Sequence, residues 1–340
     1  MEFVRVVSIG LVLLFSFNVI VKSESAARTD VRSGTQLYPI QDREGNFGLI
    51  DCSGRMVLEP SFRTIWEFGD GVAIVVGEGR QGIVDQHGKV QWFPNVEFLH
   101  TRYSEGLVLA KKDGEIGFLD KAGNFRFKIE RFAEVFPFSE GMTAIPFGNA
   151  LRYVNKDGKV VVTKNFDSAA PFHQGIARVE SCGKTGAIDT TGNVIVPFRD
   201  WHVSDASDGL IGVKDANQNR WTYFDSSGSP VLDVRFDYVG RFSEGLAPVK
   251  ASNKWGFIDK SGLIVVKPQY EEVHAFQEGM AAVVHNDKIG FIDSKGEMKI
   301  KPKYDNLPVN IRFYGCLSWV SLGGTEMYID RFGEPVWISE

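Results

Sequence analysis

Few residues in this chain of 340 residues could do chemistry: six histidines, three cysteines and a set of regularly spaced carboxylates. The histidines, His87, His100, His173, His202, His274 and His285, form no H-x-x-x-H or H-E-x-x-H pattern and have no ligand partner at helical spacing. Asp215-x-Asn217-x-Asn219 opens like a calcium loop, but Arg220 stands where the glycine is needed and Ser226 where the closing glutamate is needed. That stretch reads as a polar turn. Cys52, Cys182 and Cys316 match no zinc, haem or redox spacing. A nucleophile elbow, a phosphate loop and a dinucleotide fingerprint are all lacking. Glycoside hydrolysis would need two acids converging across a cleft. Asp200, Asp205, Asp237 and Asp305 stand outside the repeating pattern, and nothing singles them out. The expectation is a chain that is not an enzyme, with no catalytic residue, metal site or cofactor.

The regular acids fall at Asp51, Asp85, Asp120, Asn155, Asp189, Asp225, Asp259, Asp293 and Asp330 (Asn replacing Asp once), at intervals of 34 to 37 residues. A glycine follows three residues after each, from Gly54 to Gly333. Identical carboxylates a whole repeat apart lie in separate units and cannot converge on one metal or substrate. Asp or Asn opening a type I turn bonds its own backbone two residues on, and Gly at the fourth position re-aims the chain. The row is therefore read as turns. A second glycine, usually after an acid, keeps the same step at Gly71, Gly106, Gly141, Gly175, Gly209, Gly245 and Gly279.

The elements that carry these turns are short strands. Each unit holds an apolar run such as Met280–Val283, a second run such as Trp255–Asp259 and a third such as Leu263–Val266, all bounded by Gly, Asn, Asp and Ser. No stretch beyond residue 25 sustains an apolar period of 3.6, so little helix is expected. A unit of about 34 residues, a hairpin and a half, is too small to hold itself together and must lean on its neighbours. The recurrent aromatics Phe62, Phe68, Tyr103, Phe132, Phe138, Phe166, Phe172, Phe236, Phe242, Tyr270 and Phe276 are read as the core between units. The fold class is all-β: a tandem array of about nine three-stranded units over residues 37–340. An open twisted β-solenoid is favoured, because nine units exceed the usual 4 to 8 propeller blades and three strands fall short of the usual four. A propeller-like closed ring is the alternative.

Residues 1–25 read as a signal peptide, with Arg5 before an apolar run from Val6 to Val21 and small or polar residues after it. Residues 26–36 form a polar lead-in. The chain is expected to be exported, periplasmic or secreted, with anchoring by an uncleaved signal segment as the alternative. No other segment suggests a membrane. The net charge of −5 gives no nucleic-acid footprint. The three cysteines, in different units and registers, are read as buried or partly buried free thiols.

Trp255-Gly256-Phe257-Ile258-Asp259, the turn at Gly262, Pro268-x-Tyr270 and Phe276-x-Glu278-Gly279-Met280-Ala281 together resemble the WG-repeat (KWG-repeat) family of bacterial proteins. The resemblance spans about residues 37 to 337, although the literal dipeptide survives only at Trp255-Gly256. It implies a β-rich, often exported repeat scaffold and brings no catalytic residue with it. The expected function is therefore a scaffold for a protein partner in the cell envelope or extracellular space. Variable loop residues Arg102, Trp201, His202 and Arg312 are the candidate contacts. The alternative is a glycan or small-ligand binder that stacks its ligand on Trp92, Trp201, Trp319 or Trp337.

Overall fold

The seventh unit shows how the residues make the fold. Leu246–Ala251, Lys254–Asp259 and Ile264–Tyr270 pair antiparallel in sequence order, as their apolar runs and turns dictate. Gly256 of the Trp-Gly dipeptide is required by closeness: a Cβ there would lie 2.3 Å from the Val266 carbonyl oxygen of the third strand. The register of that pairing shifts beside Gly256, so the third strand bulges against it. A fourth strand, Tyr238–Val239, precedes the other three and pairs with the first of them. It turns back through Glu244 (φ 53°) and Gly245 (φ 83°), the two consecutive positive φ values of a type I′ hairpin turn. The residue before the second glycine, usually an acid, therefore helps close a hairpin that the strand pattern alone does not reveal.

A computed structural model describes residues 36–215, 220–306 and 311–339. The signal peptide, nearly all of the lead-in, and Asn217 and Asn219 of the calcium-like stretch lie outside the described residues. Among the described residues there are nine antiparallel sheets and no helix. Seven sheets have four strands, while the first (Tyr38–Gln41, Phe47–Ile50, Met56–Phe62) and the fourth (Met142–Phe147, Ala150–Asn155, Val160–Phe166) have three. In the fourth sheet Pro146 has no N–H at the position where Val76 of the second sheet pairs with Thr64. The segment before this sheet forms no fourth strand and keeps only the Ser139–Met142 bridge and the Thr143 hydroxyl bond to the Phe136 carbonyl.

Buried clusters lie between successive sheets. Phe257, Val266 and Tyr270 of the seventh sheet pack with Ala281, Val283 and Ile292 of the eighth, and Phe276 of the connecting segment fills between them. The stack closes on itself. Tyr38, Ile40 and Ile50 of the first sheet form one cluster with Leu317 and Tyr328 of the ninth. The Tyr38 hydroxyl donates to the Tyr314 carbonyl at 2.7 Å and the Tyr328 hydroxyl to the Pro39 carbonyl at 2.9 Å. Gly54 of the first unit sits on Val336 of the ninth, as Gly262 sits on Leu232 of the sheet before it.

The open solenoid is therefore incorrect, and the chain is a nine-bladed ring. The expected strand deficit was only apparent, because the fourth strand is two or three residues long and has no residue type of its own. Two contacts show which strand is innermost. Tyr314 Oη lies 3.5 Å from the Phe68 carbonyl oxygen, and Arg312 lies 3.8 Å from Glu67, so blade nine touches blade two past blade one. A contact that skips a blade can form only where blades converge, at the axis. The short first strands and their turns thus line the hub.

Cys52 and Cys316 form a disulfide across the seam, which corrects the expectation of three free thiols; Cys182 is free and exposed. Elsewhere a basic residue just after a turn acid reaches the hub turn of the preceding blade. Lys156 pairs with Glu105 at 3.0 Å, Lys260 donates to the Asp208 carbonyl at 2.7 Å, and Arg331 to the Glu278 carbonyl at 2.6 Å. Cys52 occupies that basic position after Asp51, and Cys316 occupies the glycine of the hub turn. At the seam a covalent bond replaces a charge clasp.

Candidate functional site

Successive hub turns are tied to one another by their own side chains around much of the ring. Four hub-turn acids in the left-handed conformation accept from the glycine N–H of the next turn: Glu105 from Gly141 (2.9 Å), Glu140 from Gly175 (2.8 Å), Asp208 from Gly245 (2.6 Å) and Glu244 from Gly279 (2.9 Å). Asp70 does the same with Gly106. The preceding serine donates to a carbonyl of the next blade, Ser104 to Phe138, Ser139 to Phe172, Ser207 to Phe242 and Ser243 to Phe276. Tyr314 holds the serine position in blade nine, and its longer side chain reaches Phe68 across the blade that has no described first strand. These carboxylates are committed to backbone amides, which leaves them structural.

The outer turn acids are likewise occupied. Asp259 Oδ1 accepts from the Ser261 N–H at 2.9 Å and the Leu263 N–H at 3.0 Å. The Ser261 hydroxyl, with these amides, holds its carboxyl below the usual carboxylate range. Asp305, an acid outside the repeating row, bonds Lys288, Ser321 and Gly324 and is held down to about 2, chiefly by the Lys288 ammonium. Among the described residues no three His, Cys, Asp or Glu side chains gather as a metal site.

The four candidate contacts fall in two places. Arg102 and Arg312 occupy one equivalent position in blades three and nine, immediately before the hub-turn aromatics Tyr103 and Phe313. Glu67, Pro137, Pro171, Asp205, Arg241 and Ala275 hold that position in the other blades with a described hub segment. Arg241 pairs with Asp205 at 3.4 Å and Arg312 with Glu67 at 3.8 Å. Arg102 is exposed, and no ion pair includes it among the described residues. Trp201 and His202 sit at the far end of the first strand of blade six, His202–Val203, away from its turn. Trp201 is half-buried under Arg199, whose guanidinium lies 4.9 Å from the ring, and exposed His202 meets Trp221 edge-on at 5.8 Å. The structure therefore brings Arg102 and Arg312 into one ring and separates Trp201 and His202 from it.

The proposed stacking tryptophans are mostly packed. Trp92 stacks on Phe62 at 5.9 Å, Trp337 meets Tyr328 at 6.1 Å, and Trp319 packs on the seam cluster. Trp66, which the sequence did not single out, is 42% exposed one residue before Glu67. Its counterpart Phe136 in blade four is 44% exposed, and Phe132, expected in the core, is 48% exposed because its segment does not join the sheet. The signal for these was faint: each is an aromatic one or more residues out of step with its repeat.

A closed ring of nine four- or three-stranded sheets around an axis defines a β-propeller. The WG containing repeat matches residues 47–79, 116–145, 152–184, 221–255, 255–288 and 289–324, more than half of the chain. The chain belongs to the WG-repeat family. No curated protein matches it. Among solved structures, one described as a eukaryotic initiation factor aligns over 89% of this chain and 96% of its own, at 10% identity and a TM-score of 0.61, which shows the fold alone. Hsv2 of Kluyveromyces lactis aligns over 70% of this chain and 97% of its own, at 11% identity and a TM-score of 0.44. BamB from Moraxella catarrhalis aligns over 86% and 95%, at 12% identity and a TM-score of 0.38.

Proposed function

We propose that this propeller is a non-catalytic, exported scaffold that binds a protein partner in the cell envelope or outside the cell. One observation carries the reading: the recurring carboxylates are used up in turns and inter-blade ties, while the hub position between those ties changes chemistry from blade to blade. A rigid frame with variable side chains at fixed angles suits recognition, and it offers no converging acid–base pair to a substrate. Export is supported by the seam disulfide, since such bonds persist in oxidising compartments, and by the apolar N-terminal run. Glycan stacking is the weaker reading, because Trp92, Trp319 and Trp337 are packed against neighbours.

Proximity labelling from the full chain in its native host tests this reading. A reproducible envelope or extracellular protein, captured from an exported oxidised form, is expected. Labelling confined to cytoplasmic proteins, or turnover of a substrate abolished by changing Asp200 or Asp237, would refute it. Fractionation of the same cells separates a released chain from one held by an uncleaved signal segment.

A further inference from the structure

Among the described residues the arginines at the hub position are not all paired. Among the blades with a described hub segment, three carry arginine immediately before the hub-turn aromatic, and two of these arginines take a carboxylate from another blade: Arg241 takes Asp205, and Arg312 takes Glu67. Arg102 at the same position is exposed, and no carboxylate pairs with it among the described residues. An exposed aromatic ring stands on the blade to each side of it. On one side Gly69 of blade two lies against Arg102, its would-be Cβ 3.2 Å from the Arg102 Cβ, and Trp66 is three residues upstream. On the other side Ser104 bonds the Phe138 carbonyl at 2.7 Å, and Phe136 is two residues upstream. Chain geometry then places Trp66 within about 11 Å of Gly69 and Phe136 within about 7 Å of Phe138. Both rings are more than two-fifths exposed, on the blades that flank Arg102.

We propose that the axial rim of blades two to four docks an extended acidic segment of a partner protein. A carboxylate of the segment pairs with Arg102, and apolar side chains on either side of it seat on Trp66 and Phe136. The proposal rests on the scaffold reading above and names its site and partner chemistry. The carboxylate is argued from the molecule itself, because Asp205 and Glu67 fill this role for the sister arginines. Arg offers a planar fork to a carboxylate and does not lose its charge. An apolar contact on each side of one charge fits a peptide, whose side chains follow one another along a strand. Blade four contributes a further apolar group, Phe132, because Pro146 keeps its first segment out of the sheet. The chain carries a net charge of −5, so an acidic partner is selected by this local arginine and not by the overall field.

The test is selection of a random dodecapeptide display library on the full oxidised chain, followed by titration of the selected peptides as fluorescein conjugates. Asp or Glu flanked by Leu, Phe or Trp is expected to be enriched. These peptides should bind Arg102→Glu, Trp66→Ala and Phe136→Ala at least tenfold more weakly, and Trp201→Ala as well as wild type. Replacing the peptide acid by Lys should restore binding to Arg102→Glu, a result that a general loss of fold could not produce. Several results would overturn the proposal: no enriched sequence, equal binding to Arg102→Glu, or displacement of the peptides by uronic-acid oligosaccharides that themselves depend on Arg102. Binding that appears only after deletion of residues 26–33 would also overturn it, by assigning the rim to the chain's own lead-in. A native partner still labelled by the Trp66→Ala, Arg102→Glu double variant would sink this site and leave the scaffold reading standing. An absence of any partner with wild type would sink the scaffold reading.

Discussion

Removing the Cys52–Cys316 bond tests ring closure directly. The two cysteines are 264 residues apart, so the bond cross-links nearly the whole array. In the chain-entropy account a closed loop of that length restrains the unfolded chain by about 19 cal/mol/K, or roughly 5–6 kcal/mol at 25 °C. Measured disulfides usually deliver less, and about 2–5 kcal/mol is the reasonable range. An array of about 300 residues unfolds with an entropy near 0.6 kcal/mol/K. The double change Cys52→Ser, Cys316→Ser should therefore lower Tm by about 3–8 °C. Tyr38, Tyr328 and the Gly54–Val336 contact still join blades one and nine, so the ring should stay shut in the cold. Hydrogen exchange should nevertheless quicken first in Tyr38–Ile50 and Leu317–Ile329, the strands along the seam. The assay is scanning calorimetry in a Cys182→Ser background, which removes the exposed thiol that could exchange with the bond. A change in Tm under 1 °C, or three free thiols in the unreduced chain, would refute the reasoning.

Other perturbations have different expected costs. Gly256→Ala places a methyl within 2.3 Å of the Val266 carbonyl and should cost roughly 2–4 kcal/mol by denaturant titration, whereas Gly114→Ala, which meets no neighbour but has φ 87°, should cost less. Glu105→Ala leaves the Gly141 N–H without its acceptor and should cost about 1–3 kcal/mol, with faster exchange of that amide. Burial of the His100 ring lowers its pKa, although its Nε2 bond to the Val135 carbonyl (2.8 Å) opposes this. Because the folded pKa lies below the unfolded value near 6.5, this stability is complete above that pH and declines as pH falls through it toward the folded value. Wild type should thus lose more Tm than His100→Gln between pH 8 and pH 5, and parallel pH profiles would contradict the assignment.

What the sequence made legible was whatever repeats within one unit. The nine acid-x-x-Gly sites are all turns, and the second and third strands of each blade lie where the runs ending in the turn acid and following its glycine place them. Phe172, Phe242 and Phe276 are buried as their repetition suggested. Whatever depends on contact between distant units was not legible. The innermost strands, such as Ser168–Ala169 and Glu272–Val273, share no residue type and are set by the type I′ turn that follows them. Closure depends on pairs such as Tyr38 with Tyr314, whose separation carries no local signal. The disulfide did leave a trace: Cys52 follows its turn acid as Lys121, Lys156, Lys260 and Arg331 follow theirs. That alignment has meaning only once the last blade is known to precede the first. Arg102 and Arg312 stood out as variable loop residues, yet their shared position is visible only in the ring.

The frame and the site divide the repeat between them on physical grounds. The inter-blade ties run from side-chain oxygens to backbone groups, as in Glu244 to the Gly279 N–H and Ser243 to the Phe276 carbonyl. Backbone groups are present whatever side chain accompanies them, so a tie of this kind demands nothing of the residue next to it. The position immediately before the turn aromatic (Ala206 in blade six) can therefore be Glu67, Arg102, Pro137, Asp205, Arg241 or Ala275 without disturbing the ties beside it. In a ring each of these side chains stands at its own angle about one axis. A change at that position alters which group faces the axis at that angle, and the ties beside it are unaffected. Activity in this chain is thus to be sought where blades at equivalent positions differ, and the repeated residues account for why those differences are held rigidly in place.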